Sequence, residues 1–197
     1  MQAKINLSFL LLFFASLLLV SCKKDDDDSM GSSSSELLTN GDLEIGSGTP
    51  NGWFTGPSCT DIDLSWTDEE SFSPSKSVKI SNTTLESDCF TYWGQHRNTD
   101  IPTGKSLTLR AMIKGQLEGN GVGIVIRGDD TPDISGTAEQ FATTQGVSPI
   151  SGTFDWTEYS LSLGPIEATT KSLTVYLVYH PGTTGDVYFD DVSLEFE

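Results

Sequence analysis

The run FTYWGQHRN, from Phe90 to Asn98, gathers aromatic rings, an amide, an imidazole and a guanidinium into one short stretch. In an extended strand, side chains two apart share a face. Trp93, Gln95 and Arg97 therefore fall on one side, and Phe90, Tyr92, Gly94 and His96 on the other. An indole with an amide and a guanidinium is what a saccharide requires. Flat aromatic faces stack on the C–H faces of pyranose rings, and planar polar groups pair with the hydroxyls. The set Trp93, Gln95, Arg97 is thus expected to form an outward binding shelf. The competing expectation is that Trp93 fills the interior and Arg97 pairs with a surface carboxylate. A second stretch, GDVYFDDVSLEFE, interrupts an apolar alternation with adjacent aspartates, Asp190 and Asp191. Two like charges side by side in a sheet repel, so they need a counter-charge or backbone N–H donors at a bulge.

Other chemistries find less support. The chain has 28 acidic residues, so pairs of carboxylates suited to glycoside hydrolysis are too easily found to be informative. Gln95, His96, Arg97 and Tyr176 resemble the residue set of jelly-roll polysaccharide lyases, yet the adjacent Gln95 and His96 should face opposite ways. No GxSxG, Walker or HExxH motif is present, and no cysteine spacing suits zinc. The protein is expected to be non-catalytic. A formal net charge of −17 disfavours nucleic acid and anionic surfaces and points to neutral ligands.

The elements that must position these groups are short alternating runs. VKIS (78–81), SLTLRAMIK (106–114), GVGIVIR (121–127), WTEYSLSL (156–163) and SLTVYLVYH (172–180) each read as a strand. Turn signals such as IPTGK, GNG, GDD and HPGTTGD separate them. No long 3.6-residue period and no internal repeat occurs. The fold class expected is all-β, a two-sheet antiparallel β-sandwich over residues 36–197, a length sufficient for one well-cored domain. Alternation puts Leu107, Leu109, Ala111 and Ile113 inside, with Val122, Ile124, Ile126 and Leu173, Val175, Leu177. It turns Val125, Arg127, Tyr176, Val178 and His180 outward, an unusually rich set for a solvent face. Trp53 and Trp156 are expected in the core, and Trp66 suits either an exposed loop or a satellite of the core.

The first residues, MQAKINLSFLLLFFASLLLVSC, carry one lysine, an apolar run and a small residue before Cys22. This is a signal peptide, 1–21, too short for a stable span. Leu19-Val20-Ser21-Cys22 resembles the lipobox of bacterial lipoproteins, which implies acylation of Cys22 and a lipid anchor. Loss of residues 1–21 would remove Lys4 and move the net charge from −17 to −18. Residues 22–35, including KKDDDDSMGSSSS, are too polar to fold and read as a tether. Their acidic run resembles the signal that exports some lipoproteins to the outer face of the outer membrane. With Cys22 acylated, Cys59 and Cys89 remain, an even pair that suits one disulfide or two buried thiols.

LLTNGDLEIGSGTPNGW (37–53) followed much later by VYFDDVSLE resembles the ends of jelly-roll carbohydrate-binding modules of the fourth, ninth and twenty-second families. DIPTGKSLTLRAMIKG and FDWTEYSLSL resemble their internal strands. The resemblance implies a monomeric polysaccharide- or oligosaccharide-binding module in which Arg97 and Tyr176 contribute to the cleft, joined by Arg127. It also implies a structural calcium where the first and last strands meet. Its ligands would be Asp42 through its carbonyl, Glu44, a carbonyl near Lys76, and the side chain of Asp190, in keeping with calcium's six to eight oxygens. The alternative function is an adhesin or structural sandwich subunit binding protein partners.

Overall fold

A computed structural model describes residues 35–84, 88–134 and 138–197. The expected signal peptide, Cys22 and the expected tether up to residue 34 lie outside the described residues. Eleven strands follow one another: β1 (Gly46–Ser47), β2 (Thr49–Pro50), β3 (Phe54–Thr55), β4 (Ile62–Thr67), β5 (Ser77–Asn82), β6 (Thr91–Arg97), β7 (Leu107–Asp129), β8 (Ala138–Thr143), β9 (Ile150–Leu163), β10 (Ser172–Tyr179) and β11 (Thr183–Phe196). No helix occurs among the described residues.

The long strand β7 organises the rest. Its first part, from Leu107 to Gly119, pairs with β11 on one side and β9 on the other. Its second part, from Val122 to Asp129, pairs with β10 and β8. The chain therefore builds two antiparallel layers, β4-β5-β11-β7-β9 and β3-β6-β10-β7-β8, hydrogen-bonded through a shared corner. Glycine makes that corner. Gly119 and Gly121 take φ of 89° and 74°, and a Cβ on Gly121 would lie 2.1 Å from the carbonyl oxygen of Ile150. The β10–β11 connection turns at the same place, with Gly182 at φ 70° and Asn120 Nδ2 donating to the Pro181 carbonyl at 2.7 Å.

The facing inner surfaces form one core. Leu107, Leu109, Ala111 and Ile113 from one layer meet Ile124, Ile126, Val175 and Leu177 from the other, as period-two alternation predicts. Trp53 is also buried, its indole N–H held by the Asn40 carbonyl. Trp66 packs on the core's edge and donates to the Leu43 carbonyl at 2.7 Å. Trp156 departs from expectation: it is half-buried and lies against Phe72, ring centroids 6.1 Å apart, outside the core. The shift in the β7–β9 register between Ile113 and Gly115 gives β9 one extra residue, so core-facing parity changes along it.

The two chain ends described here meet. Leu37 N–H donates to the Leu194 carbonyl and Val192 N–H to the Gly41 carbonyl, both at 2.8 Å. The Asp190-Asp191 pair sits at a bulge: Asp190 opposes Met112, and Ser193 opposes Arg110. Asp191 takes φ 45°, and the extra residue re-phases the strand so that Val192 and Leu194 turn inward after Val187 and Phe189. Cys59 and Cys89 form a disulfide across a separation of 30 residues.

Candidate functional site

The outer face of the β3-β6-β10-β7-β8 layer carries a groove of about 270 Å³. Register explains how it is assembled. Tyr92 on β6 stands opposite Val178 on β10, and Gly94 opposite Tyr176. Tyr176 in turn faces Val125 on β7, and Arg127 faces Phe141 on β8. Gly94 matters because it has no side chain: a Cβ there would come within 2.9 Å of the Phe54 ring and 3.2 Å of Tyr176. The vacated space lets Tyr92 and Tyr176 meet edge to face, centroids 4.7 Å apart at 77°, a favoured quadrupolar geometry. Phe54 and Phe90 pack edge-on against Tyr92 at 6.2 and 5.8 Å. Val125, Tyr176 and Val178 form a small apolar cluster separate from the main core.

Phe90 and Phe141 form exposed rims, 44% and 57% accessible, and Ile134 completes the wall. The Phe90 side is anchored by the adjacent disulfide, by the Gly56 N–H donated to the Tyr92 carbonyl and by the Thr91 hydroxyl donated to the Pro57 carbonyl. Arg127, the charged side chain in the lining, is committed to Asp129. Its Nε donates to both carboxylate oxygens at 2.9 and 3.0 Å and its Nη2 to one at 2.5 Å. Asp129 is fully buried, and its hydrogen bonds hold the guanidinium pKa above its ordinary value. Burial likewise raises the pKa of the Tyr176 hydroxyl, so it stays a neutral donor and acceptor. His96, on the same face, ties the 130–134 segment down through Pro132 O and Thr174 Oγ1, each at 2.9 Å.

His180 lies at the end of the face beyond Val178. It is 4% exposed, and neither ring nitrogen has a hydrogen-bond partner. Desolvation lowers its pKa, which favours the neutral imidazole.

The shelf expected from Trp93, Gln95 and Arg97 does not form. The two faces of β6 separate as alternation requires, but the sides are reversed. Trp93 is 1% exposed and points into the sandwich, its Nε1 donating to the Lys79 carbonyl of the opposite layer at 3.3 Å. Gln95 is buried and pairs with the Thr39 backbone, accepting its N–H at 2.8 Å and donating to its carbonyl at 2.9 Å. Arg97 holds the Leu37 and Thr99 carbonyls, on the opposite side of the layer from Tyr176. The physical reason is area: an indole buries more apolar surface than a phenol, whose hydroxyl prefers water or a partner. Tyr176 and Arg127 do share the groove. Phe90, Tyr92, Val125, Ile134, Phe141 and Val178 complete it, and the signal that could have found them was the outward parity of β7 and β10.

The residues expected around a metal behave differently. Asp190 is fully buried; its Oδ2 accepts the N–H groups of Phe72 and Ser73 at 2.7 and 2.9 Å, and its Oδ1 that of Asp191 at 2.7 Å. Glu44 grips the same loop, accepting the N–H groups of Ser75 and Lys76 at 2.9 and 2.7 Å and the Ser75 hydroxyl. Asp42 is exposed. Among the described residues no three His, Cys, Asp or Glu side chains cluster to hold an ion, so a cation here would draw most of its ligands from backbone carbonyls. Burial pushes the Asp190 pKa up to about 6 against the pull of its three N–H donors.

No protein-family model and no curated protein matches the sequence. Among solved structures, the enzymatically active domain of bacteriophage CBA120 tailspike protein 4 superposes with a TM-score of 0.60 at 15% identity, over 83% of this chain. The chain spans only 22% of that tailspike's length. A cyclase from Fischerella sp. TAU gives a TM-score of 0.59 at 15% identity, covering 82% of this chain and 96% of the cyclase. The CBM22-1 xylan-binding domain from Paenibacillus barcinonensis gives 0.52 at 12% identity, covering 76% and 88%. At these identities the likeness is one of fold, and the fold is the jelly-roll β-sandwich shared with carbohydrate-binding domains.

Proposed function

We propose that the protein is a non-catalytic glycan-binding lipoprotein, anchored in the outer membrane through Cys22 and displayed at the cell surface as a monomer. The observation that carries the reading is the aromatic groove on an outer sheet face, where Tyr92 and Tyr176 present ring edges and hydroxyls beside Arg127. The xylan-binding activity in the name of the Paenibacillus domain supports it. So does the net charge, which favours an uncharged polysaccharide. A second reading, binding of a small apolar molecule, is favoured by the apolar lining and by a Fischerella cyclase of this fold whose structure holds an indole ligand. Affinity electrophoresis on neutral polysaccharides distinguishes the two. Retardation abolished by Tyr92→Ala or Tyr176→Ala supports glycan capture, whereas no retardation on any glycan removes it.

A structural calcium near Asp190 belongs to the same proposal. A buried carboxylate met only by N–H dipoles is a group that a cation would stabilise, with Asp190 and nearby carbonyls as its holders. A chelator should then lower the melting temperature, with recovery on added calcium. An unchanged melt removes the ion.

A further inference from the structure

The groove is chemically lopsided for a bare sugar. Phe90, Val125, Ile134, Phe141 and Val178 offer no polar atom, and the Arg127 guanidinium is already engaged by Asp129. A pyranose lying there would meet the Tyr92 and Tyr176 hydroxyls but bury its remaining hydroxyls against apolar side chains, which opposes binding. At the same time an acceptor and donor go unused at the groove's end. His180 projects to the groove side of β10, two residues beyond Val178. Its Nε2 leans over Gly123, where a Cβ would lie only 3.0 Å away. Gly123 precedes Val125 by two residues on β7 and stands opposite Val178, so the imidazole lies just beyond the groove lining, next to Val178 and Phe90. The Phe90 ring lies against it at a tilt of 38°, centroids 6.3 Å apart. Because Phe90 is 44% exposed, rotation of its side chain is a fast, low-cost motion that would join His180 to the groove. A buried imidazole whose two nitrogens meet no protein partner is a group that a ligand hydroxyl would satisfy.

We infer that the groove takes a neutral aromatic ring bearing a hydroxyl, the ring lying between Tyr92, Tyr176 and Phe141 and the hydroxyl reaching a ring nitrogen of His180 beside Phe90. The inference deepens the glycan reading, because such a ring occurs free or as a substituent on a saccharide. Calorimetric titration of the purified protein with four probes tests it: methyl 4-hydroxybenzoate, methyl 4-methoxybenzoate, a 4-hydroxyphenyl xylo-oligosaccharide and xylohexaose. The hydroxylated ester is expected to bind about tenfold more tightly than its methyl ether, and His180→Phe to erase that difference. His180→Phe removes an unsatisfied buried polar group and should keep or raise the melting temperature, so a folding failure does not mask the result. The ¹⁵N resonances of the His180 ring in the wild-type protein should shift on adding the hydroxylated ester and not the ether. Tighter binding of the aryl glycoside than of either part sustains both this inference and glycan capture. Binding of the free ester equal to that of the aryl glycoside sustains the inference and overturns glycan capture. Binding of xylohexaose as tight as the aryl glycoside overturns the inference and leaves glycan capture standing. Equal affinities for ester and ether, or no binding of any probe, overturn the inference.

Discussion

Replacing Trp93 with alanine tests which face of β6 is the inside. The indole is 1% exposed and sits in the main core, between the two layers, with its N–H reaching the Lys79 carbonyl. Truncating a fully buried tryptophan removes the transfer energy of the ring and leaves a cavity that the surrounding strands only partly fill. The cost is about 4 kcal/mol. The lost hydrogen bond leaves the Lys79 carbonyl, in a β5 strand whose neighbours Val78 and Ile80 are fully buried, with one partner fewer. For a domain of this length each kcal/mol lowers the melting temperature by about 2–4 °C, so Trp93→Ala should melt about 8–16 °C lower. Urea unfolding should show the same loss in midpoint with an unchanged m-value. The groove lies on the other side of the sheet, so ligand affinity measured well below the transition should be retained. An unchanged melt with binding abolished would refute the assignment of Trp93 to the core and restore it to the binding surface.

Gly121→Ala should cost more than about 2 kcal/mol, because it forces alanine to φ 74° and drives a methyl into the Ile150 carbonyl 2.1 Å away; a thermal melt within 2 °C of wild type would contradict the corner geometry. Cys59→Ser with Cys89→Ser opens a loop of separation 30, worth about 3.5 kcal/mol in the chain-entropy model, and differential scanning calorimetry should show the melt fall by about 10 °C. Asp190 carries a pH signature. Its folded pKa, about 6, stands above the ordinary 3.8, so the folded state binds a proton that the unfolded chain releases. Its contribution to stability is therefore present below pH 3.8 and lost as pH rises through 6, by about 3 kcal/mol. Measured in the presence of a chelator, so that no cation holds the carboxylate ionised, urea midpoints at several pH values should show this slope in the wild type and lose it in Asp190→Asn; parallel curves for the two proteins would show that the carboxyl does not titrate in this range.

Much of the fold was legible because period-two alternation is a direct consequence of strand geometry. Leu107, Leu109, Ala111 and Ile113 all reach the core, and the outward set Val125, Arg127, Tyr176, Val178 lines the groove. Parity separates two faces but does not say which is inside when both are rich. In β6 both are: one carries Trp93 and Gln95, the other Tyr92 and His96. Polarity alone favoured the wrong side, because Gln95 finds its partners in the Thr39 backbone, a contact 56 residues distant along the chain. A long-range hydrogen bond of that kind leaves no local signature. The same holds for Asp190, whose donors come from Phe72 and Ser73, and for Trp156, whose place depends on a register shift.

The two outer faces of the sandwich are covered differently by the connections, and the face of the β4-β5-β11-β7-β9 layer keeps a polar groove of about 250 Å³ beside Lys114, Gln116, Asp186 and Tyr188. The β4–β5 connection folds over the outer face of the β4-β5-β11-β7-β9 layer. There Asp190 and Glu44 clamp its backbone, Phe72 lies on Trp156, and Glu69 and Glu70 pair with Lys79 and Lys114 at 2.9 and 3.0 Å. Exposed ion pairs contribute little individually; the buried carboxylate and the ring contact carry the attachment. On the opposite layer residues 130–134 are held by His96, Asn98 and Ser172, and Ile134 forms part of the groove wall. Gly94 and Gly123 make room on that face for the side chains of Phe54 and Tyr176 and of His180 and Thr144. A ligand can lie against strands rather than loops, and a rigid sheet floor loses little conformational entropy when it binds. The bulge that makes Asp190 a clamp also sets the inward phase of Val192 and Leu194, so the covering loop of that face is tied to the core. On the aromatic face the corresponding tie is Asp129, fully buried, which fixes the Arg127 guanidinium in the groove lining.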